Sequence, residues 1–411
     1  MQESIATKKT DWFSILQAGF SFMGAILLWG LALMILFVTL INILGNGGDE
    51  SLYGGFLLLS AGLTACGFLL LPSAVYALAQ VVHFRLPSLS FEMIKRWMPW
   101  VILAFPFVLS IGHWLSNQSI YGVIFLAPFH ILALGIPILC MIYLGLRHLP
   151  SSSNQRRWGL FSVGLTLSPV VILVIEFFVM IILIFVAAIW LATEPELLDE
   201  LNRFTEEFNN GIMSTEEIYS KILPFISHPS IFAITIAFTS LIVPIIEEAI
   251  KPLGIWFLIK RKLTPSEGFV GGLLCGAGYG MLENIMLAYS RQDWIATVTA
   301  RMGTSFIHMA TSSLVGWALV IAIKEKKFWQ LAAAYFLAVF IHGLWNGLAV
   351  TQAFAILLET DAPVAIQRLG LAASPGLCVL ALCAFLFIVL SNRRLQTQSA
   401  GLLDKAVNPS I

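Results

Sequence analysis

Four apolar stretches between Pro244 and Asn346 carry polar side chains that a lipid bilayer does not normally accommodate. The chain reads EEAIK at 247–251, YGMLEN at 279–284, SFIHMATSS at 305–313 and HGLWN at 342–346. An ionisable side chain at mid-membrane costs at least ~2.5 kcal/mol on insertion scales, which makes each one a functional-site candidate. The candidates are Glu247, Glu248, Lys251, Glu283, Asn284, His308, His342 and Asn346.

The carboxylates of EEAIK suit general acid–base chemistry. Glu247 and Lys251 are four residues apart and share a helix face, while Glu248 stands three residues before the lysine. Two adjacent carboxylates in a low dielectric cannot easily both stay charged, so one of them is expected to exchange a proton near neutral pH. The alternative interpretation of this stretch is a structural ion pair between helices.

The later stretches add groups of different chemistry. His342 and Asn346 are also four apart, so they can present two polar hydrogens to an oxyanion or two ligands to a metal. His308 is either a histidine satisfied within the core or one that faces a wet cavity with the hydroxyls that follow it. Asn284 is expected to orient one of the carboxylates by hydrogen bonding.

Glycines precede the EN pair at helical spacing. A row of small residues lets another helix backbone approach closely, and this approach is expected to bring Glu283 to the EEAIK helix. The row consists of Gly268, Gly272, Gly276 and Gly280.

The bulk composition predicts the fold class. Of the 411 residues, 58% are hydrophobic and 11% are charged, which is typical of an all-α polytopic membrane bundle. A formal net charge of zero excludes a basic nucleic-acid surface, and five cysteines without a CxxC pair disfavour disulfides and thiolate metal sites.

The first apolar segment is expected to be a retained span. Ten transmembrane helices are predicted, at about 20–44, 54–80, 97–115, 120–146, 160–191, 231–258, 267–289, 300–323, 329–350 and 370–390. The fifth is too long for one straight helix and is expected to tilt, or to bend near Pro169.

The distribution of basic residues predicts the orientation, because cytoplasmic loops collect positive charge. Every second connection is basic, so both termini are predicted to be cytoplasmic. These basic connections hold 17 of the 23 Lys and Arg residues: Lys8, Lys9, Arg85, Lys95, Arg96, Arg147, Arg156, Arg157, Lys260, Arg261, Lys262, Lys324, Lys326, Lys327, Arg393, Arg394 and Lys405. The opposite connections hold Arg203, Lys221, Arg291, Arg301 and Arg368.

The predicted organisation has four parts. A membrane region of about five helices covers 1–191, and an acidic outer-side connection covers 192–230. Apolar residues recur there at helical spacing, which suggests an amphipathic helix on the membrane or the mouth of the bundle; a solvated acidic loop is the alternative, and a lid a further one. A four-helix catalytic core covers 231–350, and a C-terminal helix and tail cover 351–411. At ~1.5 Å per residue, the polar groups of the core fall at similar depths, roughly 20–30 Å from the cytoplasmic basic clusters.

The four stretches resemble the motifs of the PrsW-type intramembrane protease family, which is related to the CAAX prenyl endopeptidases and bacteriocin-processing membrane proteases. That family is marked by EExxK, an aromatic-xxx-EN segment, an isolated histidine and HxxxN. Here the aromatic position is Tyr279, where the family often has phenylalanine. The resemblance covers residues 244–350, a quarter of the chain.

The resemblance implies an intramembrane endopeptidase in the bacterial cytoplasmic membrane, acting on a membrane-anchored protein or peptide. Glu247 would activate water as a general base, and Glu248 and Lys251 would tune its charge. Glu283 would assist at the water, and His342 with Asn346 would stabilise the oxyanion. His308 would complete the water site or bind a metal.

Both metal-free and metal-dependent mechanisms fit the sequence. Zinc needs three protein ligands and an open position, and its candidate ligands are Glu247, Glu283, His308 and His342. No HExxH motif occurs, and the related prenyl endopeptidases suggest glutamate chemistry, so the metal-free mechanism is favoured over zinc.

Two other function classes compete with a protease. Midplane carboxylates and histidines also build proton- or cation-coupled transporters, although no paired, Gly/Pro-broken helices occur in matching halves. A membrane scaffold with a vestigial site is the third interpretation, and the intact set of polar groups disfavours it.

Overall fold

The structure, a computed structural model, describes residues 11–46, 50–87, 91–118, 120–149, 152–211, 215–287, 293–358 and 364–407. Lys8, Lys9 and Arg291, which enter the orientation prediction, lie outside the described residues.

The described residues form helices and no strand, which confirms the predicted all-α polytopic fold. Among the described residues, ten helical segments are long and apolar enough to cross a membrane, as the sequence predicts. Most are longer than their predicted spans, because helices continue into the polar residues beyond the apolar run. In this part of the chain the spans are Trp12–Gly45, Tyr53–Val81, Glu92–Ser116, Gly122–Leu146, Asn154–Leu191, Pro229–Leu258, Pro265–Leu287, Trp294–Glu325, Phe328–Leu358 and Val364–Gln398.

The individual helices are numbered in chain order. They are α1 (Trp12–Asn46), α2 (Glu50–Val81), α3 (Phe91–Ser116), α4 (Ile120–Leu146), α5 (Asn154–Ser162), α6 (Ser168–Leu191), α7 (Pro195–Asn209), α8 (Thr215–Ile226), α9 (Pro229–Ala237), α10 (Val243–Ile250), α11 (Leu253–Leu258), α12 (Pro265–Leu287), α13 (Trp294–Glu325), α14 (Phe328–Leu358) and α15 (Val364–Val407).

Two spans contain a π-turn next to a proline. The first π-turn, Val163–Leu167, joins α5 to α6, and the second, Phe238–Ile242, joins α9 to α10. In each, the residue before a proline donates five residues back: Ser168 to the Val163 carbonyl, and Val243 to the Phe238 carbonyl. Because the next residue, Pro169 or Pro244, has no N–H, the regular i→i−4 ladder is interrupted there. The irregularity expected near Pro169 is therefore a π-turn.

The chain contacts divide into two compact units. The first contains residues 1–169, 251–335 and 383–411, and the second contains residues 170–250 and 336–382. The four-part organisation predicted from the sequence stays a prediction.

The glycine row of α12 organises the first unit. A Cβ at Gly276 would lie 2.5 Å from the His308 carbonyl oxygen, and one at Gly268 would lie 2.5 Å from that of Gly316. The α12 and α13 backbones thus touch along the row, and α13 is the helix that the row receives. At the start of α13, buried Trp294 donates through Nε1 to Nδ1 of buried His130 on α4, with an N···N distance of 3.0 Å. These contacts fix the helix that carries His308.

The second unit contains the acidic connection. The predicted amphipathic helix is α7, and a second helix, α8, follows it. Lys221 on α8 forms an ion pair with Glu207 on α7. Phe232 on α9 packs edge-to-face on Phe354 of α14, with ring centroids 5.0 Å apart. The position of α7 on the membrane stays a prediction.

Candidate functional site

Glu247 and Glu248 meet His342 in the second unit. The Glu248 side chain is fully buried, and its Oε1 lies 2.8 Å from His342 Nδ1. The Glu247 Oε2 lies 3.8 Å from His342 Nε2, and His342 is 1% exposed. An ionised carboxylate only accepts, so Nδ1 carries the proton that faces Glu248. We call these three residues the carboxylate–histidine cluster.

Asn346, one helical turn after His342, contacts the second π-turn. Its Nδ2 donates to the Thr239 carbonyl oxygen at 2.9 Å. An amide nitrogen carries two hydrogens, and this contact uses one of them. Asn346 is partly buried.

Lys251, His308 and Glu283 form a chain of contacts in the first unit. Lys251 Nζ lies 2.7 Å from His308 Nδ1, and His308 Nε2 lies 2.5 Å from Glu283 Oε2. A charged lysine only donates, so Nδ1 accepts and the ring proton belongs on Nε2, facing the carboxylate. Lys251 and His308 are 0% and 1% exposed. We call these three residues the lysine–histidine chain.

Lys251 follows the end of α10 because Pro252 interrupts the helix. Pro252 has no N–H for the Glu248 carbonyl, and a new helix, α11, begins at Leu253. Ser168 Oγ donates to the Lys251 carbonyl at 3.3 Å. The ammonium lies 4.8 Å above the Tyr279 ring, whose centroid is 5.2 Å from that of His308 in an edge-on arrangement. The aromatic residue of the YGMLEN stretch thus packs against two other candidates.

Asn284 contacts α13. Its Nδ2 donates to Ser305 Oγ at 2.7 Å and to the Arg301 carbonyl at 3.2 Å. Asn284 is fully buried. The sequence predicts that Asn284 orients a carboxylate, whereas these contacts join α12 to the turn of α13 that precedes His308.

Arg301 is a residue that the sequence analysis did not select. Its Nη1 and Nη2 lie 3.2 and 3.4 Å from Glu283 Oε1, so the lysine–histidine chain ends on a second cation. Arg301 precedes His308 by seven residues, which places both on one face of α13. An arginine inside a predicted span, two turns before an isolated histidine, was the available signal. The positive-inside pattern alone assigns it to an outer connection.

A family model matches this region of the chain. It describes the PrsW family intramembrane metalloproteases and covers residues 209–394. This part of the chain is similar to the PrsW family. The match confirms the resemblance drawn from the four stretches and extends it to α8 and α15. Searches of curated proteins and of solved structures each returned no match.

The match to the PrsW family model, together with ten apolar helices in the described part of the chain, supports an integral multi-pass membrane protein with protease function. All eight candidate residues lie within the matched range. The structure groups Glu247 and Glu248 with His342, and Lys251 and Glu283 with His308. Each asparagine instead contacts a neighbouring segment of its own unit: Asn346 donates to the Thr239 carbonyl, and Asn284 donates to Ser305 Oγ.

The description of the PrsW family as metalloproteases raises the question of a metal. Glu247, Glu248 and His342 are buried, and each offers one ligand atom within 4.8 Å of the others. Three O and N donors are the number and kind that a catalytic zinc takes from a protein, so these residues fit the ion. Glu248 was not among the predicted ligands. A bound zinc would supply Lewis-acid stabilisation and a more acidic water.

Proposed function

We propose that this chain hydrolyses a peptide bond of a membrane-anchored protein or peptide, using water activated by a glutamate. The observation that carries the proposal is the carboxylate–histidine cluster, buried in a region matched by the PrsW family model. A buried carboxylate beside an oriented imidazole suits proton transfer to and from a water molecule.

Glu247 acts as the general base in this proposal. Glu248 holds His342 through Nδ1, so that Nε2 faces Glu247. When water attacks the scissile carbonyl, Glu247 takes its proton, and the same proton can later pass to the leaving amine. The burial of these side chains keeps bulk water from competing for the carboxylate.

The oxyanion of the tetrahedral intermediate requires hydrogen-bond donors. We propose His342 and Asn346, as the sequence predicts. His342 donates through Nε2 only when both ring nitrogens carry protons, and the two neighbouring carboxylates offset the charge of that imidazolium. Asn346 has a second amide hydrogen beyond the one on Thr239. A single donor of this kind lowers the barrier by about 3 kcal/mol in other enzymes.

The remaining candidates support the reaction. Lys251 and Glu283 hold His308 from both ring nitrogens, which fixes the imidazole in one orientation. Asn284 ties α12 to α13 beside this chain. We propose that these four residues serve catalysis, because they complete the motifs of the family.

The basic connections lead us to propose that both termini face the cytoplasm. The resemblance leads us to place the protein in a bacterial cytoplasmic membrane, where the substrate is anchored in the same bilayer.

The test compares the membrane proteomes of cells that carry the native chain, Glu247→Gln or His342→Ala. We expect at least one membrane protein to accumulate uncut in both variants, because each variant removes a group needed for water attack. Equal abundance of the three chains is checked by immunoblot.

Two matched controls keep the comparison specific. Glu92→Gln and His113→Ala change exposed side chains on α3, far along the chain from the motifs. Both should leave the proteome at the native pattern. Native processing in the Glu247→Gln and His342→Ala cells would exclude the proposed roles of these residues.

Metal content is the second test of the mechanism. The glutamate mechanism predicts that purified protein keeps its activity in a chelator and holds no stoichiometric zinc by mass spectrometry. One zinc per chain, lost in His342→Ala and retained in His113→Ala, would contradict it. Glu247 would then be a ligand and no longer the base.

A further inference from the structure

The second π-turn leaves a backbone carbonyl without its helical donors. In a regular helix the Thr239 carbonyl would accept from the Val243 N–H, but Val243 donates to the Phe238 carbonyl. In a continued π-helix the next donor would be residue 244, which is a proline. Neither of the two following nitrogens therefore serves the carbonyl of Thr239, which is partly buried, and a carbonyl that is shielded from water without a donor is costly.

Asn346 supplies the missing donor from another helix. Its Nδ2 lies 2.9 Å from the Thr239 carbonyl oxygen. The glycines on either side of it let the π-turn come close. A Cβ at Gly343 would fall on the Ser240 carbonyl oxygen, and an ideal Cβ at Gly347 would lie 3.7 Å from the Ser240 Cβ. One face of α14 is thus fitted to the π-turn by two small residues and one amide.

The same two helical segments carry the carboxylate–histidine cluster. His342 precedes Asn346 by one turn on α14, and Glu248 follows Thr239 by nine residues on the other segment. The segments therefore touch at two points, Asn346 with Thr239 and His342 with Glu248. Two contact points fix both the rotation and the axial register of one helix against another.

We propose that Asn346 is a positioning residue: by bonding the Thr239 carbonyl that Pro244 leaves without a donor, it holds the π-turn on α14 and aligns Glu248 with His342. This inference deepens the proposed function and rests on it where activity is concerned. The packing of the π-turn can be measured without any substrate.

The experiment uses a disulfide as a proximity gauge. Ser240→Cys and Gly347→Cys are introduced into the full chain in native membranes, with the five native cysteines replaced by alanine. The 3.7 Å Cβ separation lies within the range that a disulfide bridges. The rate of cross-linking under limiting oxidant is measured by peptide mass spectrometry.

Asn346→Ala and Asn346→Asp are then added to the cysteine pair. Aspartate keeps the shape of asparagine but lacks the N–H donor. We expect both variants to cross-link roughly tenfold more slowly, the change expected when one hydrogen bond of ordinary strength is lost. The matched control is Gln352→Ala, which removes an amide on α14 that donates to Ser374 Oγ, and it should cross-link at the parent rate.

The outcomes separate this inference from the proposed function. The positioning role is overturned if the Asn346→Asp protein cross-links as fast as the parent cysteine pair. It is also overturned if the parent cysteine pair does not cross-link. Slower cross-linking, together with processing that survives both Asn346→Asp and Glu247→Gln, supports the positioning role and contradicts the proposed function. An Asn346 that acts only as an oxyanion donor would lower cleavage and leave the cross-linking rate unchanged.

Discussion

Arg301 shows what side-chain direction adds to a residue's place in the sequence. It lies two turns into α13, near a predicted outer connection, where an arginine ordinarily marks the edge of a span. In the structure it turns to Glu283, and its side chain is 16% exposed. The chain of contacts from Lys251 through His308 to Glu283 therefore ends on a guanidinium. The direction of that side chain depends on the packing of α12 against α13, which a single sequence does not show.

We expect Arg301→Ala to lower substrate cleavage roughly 10- to 100-fold, because a charge-assisted contact contributes about 1.5–3 kcal/mol. Glu283 would lose its guanidinium partner and hold His308 less firmly. Arg301→Lys should recover part of the rate, since it restores one donor and the charge. The measurement is the cleavage rate of the accumulated membrane protein identified by proteomics.

The matched control for Arg301 is Arg368→Ala. Arg368 is exposed on α15 and belongs to the same set of predicted outer-side basic residues. The Arg368→Ala protein should cleave the substrate at the native rate. If Arg301→Ala also cleaved at that rate, the lysine–histidine chain would need no second cation.

At the scale of the element, the apolar runs predicted the helices, and the prolines and glycines decide how they join. Hydropathy predicts ten spans, because an apolar segment inside lipid can satisfy its backbone hydrogen bonds within itself only as a helix. It does not show that the helix break at Pro252 makes α10 end at Ile250. Lys251 therefore lies just beyond the helix that carries Glu247 and Glu248. The glycine row was recognised from its spacing. The sequence does not show that α13 is the partner of this row, because four-residue spacing indicates a flat helix face without indicating which helix packs on it.

A single methyl group tests the packing of α12 on α13. At Gly272 a Cβ would fall on the Ser312 carbonyl oxygen, so Gly272→Ala must push two backbones apart. Overpacking of this kind costs about 1–3 kcal/mol. We expect a lower midpoint of thermal unfolding in detergent and reduced cleavage.

Gly135→Ala is the matched control. Gly135 lies on α4, and a Cβ at this position would have no neighbouring atom within 4 Å. Alanine is favoured over glycine inside a helix by up to ~1 kcal/mol, so this variant should unfold at the native midpoint or above it. The two substitutions thus have opposite expected signs. A Gly272→Ala protein as stable as Gly135→Ala would show that the row does not form the α12–α13 contact.

At the scale of the whole molecule, composition and four short motifs predicted the class and the family. The all-α membrane fold follows from the apolar content, and the order and spacing of the motifs indicate the family whose model matches residues 209–394. The common depth of the four polar stretches stays a prediction. Which motif residues bond each other could not be predicted: the pairs of His308 with Lys251 and of His342 with Glu248 depend on ring orientation and on the breaks at Pro244 and Pro252.

The central claim is that the buried Glu247 carboxylate activates the water that cuts a membrane-anchored chain. The most direct measurement reconstitutes purified protein in lipid vesicles with the substrate found by proteomics and follows its cleavage by gel and mass spectrometry. The native chain and Glu92→Gln should cut it at one site, and Glu247→Gln should leave it intact. Cleavage by Glu247→Gln at the native rate and position would contradict the account.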